Sequence, residues 1–285
     1  MSDSVYTPTL VRLTVSGTPL TVGTGVDLVY STVGRGTGVP SSPPSILKYS
    51  STQYIIVLLR NLDDILTTTV ADITSGTPVL SAYVDPDPIP LSAMLVCGAQ
   101  LISTTAIVFN MAYAGNVVMA YTPITTISPY ALGAMVTTTT VPIGVANDAY
   151  GYLLNVDQST NNLWVGAAWT DTGSKMTLYT RAGSAFTVVT SNTPIDNNTA
   201  VRVSNGAILT YTYYADTFKV RYFTVTPLAL TLVTTLTLTY AAAHDVSIAA
   251  FDTGTRFIIS NQLTNNFITL SGGSVPLVNM TVTKP

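Results

Sequence analysis

The stretch Ala200–Tyr240 does most to limit what this chain can fold into. It divides into four short β-like pieces, Ala200–Ser204, Ala207–Tyr214, Phe218–Val225 and Leu230–Tyr240. Turn signals separate them at Asn205-Gly206, Ala215-Asp216 and Thr226-Pro227. The last piece alternates, with Leu230, Leu232, Leu236, Leu238 and Tyr240 on one face and Thr231, Val233, Thr235, Thr237 and Thr239 on the other. Only Thr234 interrupts the leucine face. A period of 2 held this long is a strand pattern, because a helix would spread those leucines around all its sides. The leucine face is expected to pack inward. The threonine face, on an outermost strand, is expected to meet a neighbouring subunit.

The rest of the composition agrees with strands. Charged residues make up only 9% of the chain, and all fourteen acids are Asp. An ordinary globular protein carries about 25%. Glu and Lys are the usual solvent-facing residues of helices, so their scarcity argues against a helical surface layer. Thr supplies 48 of the 285 residues, and Thr, Val and Tyr favour strands. The fold class is therefore all-β.

Looser copies of the same four-strand unit flank the opening stretch. One reads Ser45–Tyr49, Gln53–Leu59, Ile65–Ile73, Pro78–Val84, and the next Ala93–Cys97, Thr105–Ala112, Asn116–Pro123, Tyr130–Thr138. A third reads Tyr150–Val156, Leu163–Thr170, Lys175–Arg181, Phe186–Thr190, behind an extra segment Val141–Ala146. The last reads Asp245–Phe251, Thr255–Asn261, Phe267–Leu270, Val275–Val282. First strands begin near residues 45, 93, 150, 200 and 245, close to the ~40–50 residue period of propeller blades. One small sheet cannot bury both its faces alone, and radial stacking solves that. The prediction is a β-propeller of four-stranded blades, six favoured over five, with a β-sandwich or jelly roll as the alternative. Residues 44–285 would form a single propeller domain. Residues 1–43, with strands over Thr9–Val15, Pro19–Val22 and Val26–Val33, would help close the ring. The Gly/Pro/Ser-rich run Gly34–Pro44 reads as a connection.

Two fragments carry a resemblance. Lys175–Thr187, with Tyr179, Arg181, Gly183 and Phe186 at its marked positions, resembles the third-to-fourth-strand hairpin of propeller repeats common in phage and bacterial proteins. Phe251-Asp252-Thr253-Gly254-Thr255-Arg256-Phe257 is similar to the first-to-second-strand turn of the same repeats. The match covers about one blade and a half. It implies the fold and no activity, since propellers serve many functions.

Catalytic chemistry finds little purchase. His244 is the only histidine, and Asp245, adjacent and facing the other way, cannot orient it as a triad acid would. Cys97 lies among apolar residues and reads as a small buried hydrophobe; with one His and one Cys, no ordinary zinc site forms. A propeller glycosidase would need two carboxylates about 5–9.5 Å apart. The acids instead sit in turn-like contexts: Asp63-Asp64, Asp85, Asp87, Asp171, Asp216 and Asp252, where Asp stabilises turns. Asp148 and Asp157 lie closest to a first strand, with nothing to pair them. Asp157–Asn162 has the oxygens of a calcium loop but no glycine at the bend, and reads as a polar hairpin loop. No catalytic residue, metal or cofactor is expected.

Eleven scattered basic residues form no stripe to offset nucleic-acid phosphate. The longest apolar runs, such as Tyr54–Leu59, fall short of the ~20 residues a membrane helix needs. The opening MSDSVYTPTL lacks the pattern of a secretory signal. A nearly uncharged surface of hydroxyls and amides suits a protein packed among neighbours. The expected function is thus a non-enzymatic structural component of a virus particle, such as a phage capsid decoration, head-fibre or tail-associated protein. Its expected location is the virion, and its expected partners are other virion proteins or copies of itself. The alternative is a lectin-like module for host glycans. Trp164, Trp169, Tyr211, Tyr213, Thr231, Thr235, Thr237 and Thr239 are the contact residues either reading would use.

Overall fold

Strand follows strand through the described residues of the computed structural model, and these residues contain no helix. Described are residues 9–14, 21–28, 30–32, 36–38, 44–59, 66–86, 95–113, 115–137, 141–142, 150–170, 173–192, 199–204, 206–214, 217–239, 246–251, 256–261, 267–271 and 281–283. The chain divides into two compact units, Met1–Ala114 with Ala120–Thr137, and Gly115–Met119 with Thr138–Pro285.

The N-terminal block forms two hairpins, each a two-stranded sheet: β1 (Thr9–Thr14) with β2 (Thr21–Asp27), and β3 (Tyr30–Thr32) with β4 (Gly36–Gly38). The β4 strand corrects the sequence reading of Gly34–Pro44 as a plain connection. Ladder pairing uses backbone groups, so a glycine-rich strand can pair with Tyr30–Thr32 without any side-chain pattern to announce it. The first four-stranded sheet then runs in chain order through β5 (Ser45–Lys48), β6 (Gln53–Leu59), β7 (Leu66–Asp72) and β8 (Val79–Leu80). The next sheet holds β9 (Leu95–Ile102), β10 (Ala106–Tyr113), β11 (Asn116–Ile127) and β12 (Tyr130–Leu132), with β13 (Val136–Thr137) and β14 (Val141–Pro142) also paired to β11.

In the second unit, four-stranded antiparallel sheets repeat. One is β15 (Tyr150–Asn155), β16 (Leu163–Thr170), β17 (Gly173–Ala182), β18 (Ala185–Asn192). Another is β19 (Thr199–Ser204), β20 (Ala207–Tyr214), β21 (Thr217–Thr226), β22 (Ala229–Thr239). The last is β23 (Val246–Phe251), β24 (Arg256–Asn261), β25 (Phe267–Ser271), β26 (Thr281–Thr283). First strands of successive sheets neighbour each other: β15 and β19, β19 and β23, and in the other unit β5 and β9. That is how propeller blades stand, first strand innermost. The four-strand rhythm predicts these sheets almost strand for strand.

Packing explains why the middle strands are apolar on both faces. In the first unit, Ile55, Val57 and Val70 pack against Ile107, Phe109 and Met111 of the next sheet. Ile56 and Leu58, facing the other way, meet Leu28 and the partly buried Leu10 of the N-terminal block. In the second unit, Val165, Ala167, Met176 and Leu178 pack on Ile208, Phe223, Val225 and Leu230. Each of the larger side chains among these, fully buried, contributes about 1.5–3 kcal/mol. Threonine shares the interior. Thr67, Thr68 and Thr69 on β7 are fully buried, as are Thr122, Thr177 and Thr210. On β7, Thr68 donates to Val84 O at 3.0 Å, Thr69 to Ser81 O at 2.9 Å, and Thr67 to the Asp85 carboxylate, which gives these three hydroxyls the partners that buried polar groups need.

The leucine face of Leu230–Tyr240 needs correcting. Phe223 pairs with Leu232 and Tyr222 with Thr234, so Val233 is an extra, bulged residue. Directly paired residues share a face, and a one-residue slip moves all later side chains to the other side. Leu230 and Leu232 therefore share the face of Val225 and Phe223, whereas Leu236 and Leu238 share that of Val220 and Phe218. Thr231 is likewise divided from Thr235, Thr237 and Thr239. The strand has no single leucine face and no single threonine face. Only Leu230 of the first pair is buried; Leu232 is 49% exposed.

Candidate functional site

Polar groups gather in the second unit, where the Asp157–Asn162 loop joins β15 to β16. Asp157 opens the loop as an Asx turn. Its Oδ1 accepts from the Ser159 amide at 3.0 Å and the Ser159 hydroxyl at 2.5 Å, and its Oδ2 accepts from the Thr160 hydroxyl at 2.5 Å. These bonds, led by the Ser159 and Thr160 hydroxyls, hold the Asp157 carboxyl below its usual range, because they favour the charged form. The loop then turns back: Asn161 takes a left-handed φ of 57° and donates its N–H to Asp157 O at 2.8 Å. Asn is among the few residues that tolerate this region.

Beneath the loop, the Asn161 carbonyl accepts from the Trp164 indole N–H at 2.8 Å and from Arg181 at 3.3 Å. The Asn155 amide donates to Asn161 Oδ1 at 2.5 Å. Trp164 is fully buried and meets Phe186 edge-on, ring centroids 5.9 Å apart. The neighbouring sheet is tied in as well. Arg202 donates to Gln158 Oε1 at 2.8 Å, and the Gly206 N–H to Val156 O at 3.3 Å. A cleft of about 490 Å³ results, lined by Asp157, Ser159, Thr160, Asn162, Leu163, Thr180, Arg181, Gly206 and Pro227. It lies at the end of these two sheets that carries the first-to-second and third-to-fourth strand turns.

The first unit has a smaller hollow of about 180 Å³ between Leu10–Leu13 and Ile46, Tyr54, Ala71, Ile73 and Pro78. Its walls are mainly apolar, and its one charged group, Arg12, donates to the carbonyls of Ile73 and Ser75 at 2.9 and 3.1 Å. It offers no reacting group. Among the described residues, no three His, Cys, Asp or Glu side chains come close enough to hold a metal.

The residues singled out from sequence fall in several places. Trp164 underpins the Asn161 turn instead of presenting a stacking face: as the partner of Asn155 on the buried second strand, it is covered on all sides. Trp169, Tyr211 and Tyr213 are placed on β16 and β20, but their side chains lie outside the described residues, as does that of Thr239. Thr231, Thr235 and Thr237 are exposed on β22, away from the cleft's lining. Asp63, Asp64, Asp87, Asp148, Asp171, Asp216, His244, Asp245 and Asp252 lie outside the described residues, and so does the side chain of Cys97, whose backbone marks a register shift in β9. Asp85 is described and bonded to Thr67. Sequence reasoning met Asp157–Asn162 only as a polar loop and Arg181 only as part of the repeat hairpin. Their union in one cleft had no sequence signal, since stacking of sheets creates it.

No protein-family model and no curated protein matches the sequence. Solved structures match the fold. A candidate 6-phosphogluconolactonase from Bacteroides uniformis superposes with a TM-score of 0.63 at 12% identity, covering 99% of this chain and 78% of that one. The periplasmic gluconolactonase PpgL of Pseudomonas aeruginosa gives 0.60 at 12%, covering 97% and 82%. The β-propeller domain of Cps50 (Swd1) from Myceliophteria thermophila gives 0.52 at 14%, covering 99% and 89%. The fold is that of a β-propeller. The expectation of a non-enzymatic phage particle component is overturned here, because structures similar over nearly the whole chain bear lactonase names. The composition argument failed for a physical reason. Low charge and abundant threonine follow from sheets buried on both faces, as Thr67–Thr69 show, and need no packed shell of neighbours.

Proposed function

We propose that this chain is a propeller hydrolase of the lactonase type. The carrying observation is the fold similarity, over 97–99% of the chain, to a candidate 6-phosphogluconolactonase and a gluconolactonase. In such a reaction water adds to the ring ester carbonyl, the ring C–O bond breaks, and a hydroxy acid leaves. The protein must position the ring and stabilise charge that grows on the carbonyl oxygen; one well-placed donor is worth on the order of 10²–10³ in rate. Among the described residues, the cleft of Asp157 and Arg181 is where a carboxylate, a guanidinium and hydroxyls line one cavity. Arg181 is a donor of the required kind. Asp157, held ionised by its hydrogen bonds, suits orienting a hydroxyl or water more than taking a proton, because a general base works best with its pKa near the operating pH.

The test is acid release from a panel of five- and six-membered sugar lactones, with and without phosphate groups, followed against the enzyme-free rate. Saturable turnover above that rate is expected for at least one lactone. Rates equal to background across the panel would overturn the reading.

A further inference from the structure

The lining of the cleft says what kind of molecule fits it. Its one carboxylate, Asp157, and its one guanidinium, Arg181, cancel in formal charge. A phosphate dianion would meet a single cation beside a fixed negative charge, and it would find no second cation for the several charge-assisted bonds that hold such groups. The neutral polar groups tell more. Ser159 and Thr160 spend their hydroxyl hydrogens on Asp157, which leaves their oxygens as acceptors, that of Thr160 already taking one bond from the Asn162 N–H at 3.3 Å. Those bonds polarise the hydroxyl oxygens, as chained hydrogen bonds do. A ligand here must therefore donate as well as accept, as alcohols do. Leu163 and Pro227 add apolar wall, suited to the C–H face of a ring. The volume of about 490 Å³ lies within the ~300–1,000 Å³ of small-molecule sites.

We propose that the cleft roofed by the Asp157–Asn162 loop, and closed from the next sheet by Gly206 and Pro227, binds a neutral polyhydroxylated ring of monosaccharide size. The inference deepens the hydrolase reading and, for the identity of that ring as an unphosphorylated sugar lactone, rests on it.

Calorimetric titration of the full chain with the lactam analogue of gluconolactone, which resists hydrolysis, tests the proposal beside 6-phosphogluconate. The lactam should bind at least tenfold more tightly than the phosphorylated acid. Asp157→Asn should weaken lactam binding about tenfold. Asn162→Trp, a change at an exposed loop position that fills the cleft without touching the core, should abolish it. Equal or tighter binding of the phosphorylated acid, or undiminished lactam binding by Asn162→Trp, would overturn the proposal. The two readings fail separately. Lactone turnover with lactam binding indifferent to Asn162→Trp would sink the cleft and leave the hydrolase. Cleft-dependent binding with no turnover of any lactone would sink the hydrolase and leave the cleft.

Discussion

The sheets β15–β18 and β19–β22 are built alike and end differently. Both put their fourth strand after a tight hairpin and bulge it at the same step, at Val189 in one and Val233 in the other, each four residues beyond the strand's first. Both bury every described side chain of their second strand, Leu163–Ala168 in one and Ala207–Thr210 in the other. They part at the first hairpin. In β15–β18 it carries the Asp157–Asn162 loop, which stands on Trp164 and Arg181. In β19–β22 the equivalent turn closes tightly at Gly206, with Ser204 paired to Ala207. The longer loop reaches over the shorter turn, and the cleft is the space between them. A repeated scaffold thus acquires a site by lengthening one connection, since scaffold rigidity and loop variation are separable.

The sharpest way to break that contrast is at the matched second-strand positions. Trp164→Ala should cost about 3–5 kcal/mol and Ile208→Ala about 2–5 kcal/mol, because both empty space in a closed core. Urea denaturation reads both. Only Trp164→Ala also removes the donor to the Asn161 carbonyl, so only it should weaken ligand binding in the cleft under conditions where both variants are folded. Equal loss of binding would mean that the loop does not depend on its tryptophan.

Next in size are the two hairpin glycines. Gly206 has φ of +73°, and a Cβ there would lie 3.0 Å from Val225 O; Gly183 has φ of +62° with open space around it. A left-handed residue with a Cβ costs about 1–2 kcal/mol, so Gly183→Ala should fall near that and Gly206→Ala clearly above it. Thermal unfolding of the pair checks the order, and the reverse order would place the tight contact at the wrong turn.

Titration offers a gentler test. The Tyr130 hydroxyl, buried in the first unit and bonded to Thr68 at 3.1 Å, is pushed up to about 12, chiefly by burial. A folded value above the unfolded 10.0 means its contribution is intact below pH 10 and lost as pH rises from there towards 12. Tyr130→Phe should flatten the alkaline limb of the stability curve. Asp157 has the opposite sign. Its depressed carboxyl contributes above the ordinary range near 3.8 and loses that contribution as pH falls through the folded value. Asp157→Asn should flatten the acid limb only, measured as unfolding midpoint against pH.

Strands were legible because apolar alternation and turn residues are local. Gln53–Leu59, Leu163–Thr170 and Ala207–Tyr214 could be bounded to the residue. The Val233 bulge was not, since its register depends on β21, and Leu-Thr alternation runs through it undisturbed. The reading of threonine as surface failed at Thr67–Thr69 because a hydroxyl with a carbonyl or carboxylate partner is at home inside. Half of the site was visible as a polar loop; the other half, Arg181, Gly206 and Pro227, arrives from three further hairpins, two of them in the next sheet.

The smallest expected effect tests that bulge most directly. If β22 ran without interruption, Leu232 would sit on one face with Leu230, Leu236 and Leu238, and replacing it would empty part of a core. With Val233 bulged, Leu232 shares its face with Leu230 alone and is 49% exposed, and Leu228 at the hairpin tip is 85% exposed. Leu232→Thr and Leu228→Ser should each leave stability within about 0.5 kcal/mol of the parent, as ordinary surface changes do. Because β22 is an edge strand without a charged residue, the same changes should raise solubility by weakening edge-to-edge pairing. A loss of 2 kcal/mol or more in Leu232→Thr would restore the continuous leucine face and remove the register shift that the two sheets share.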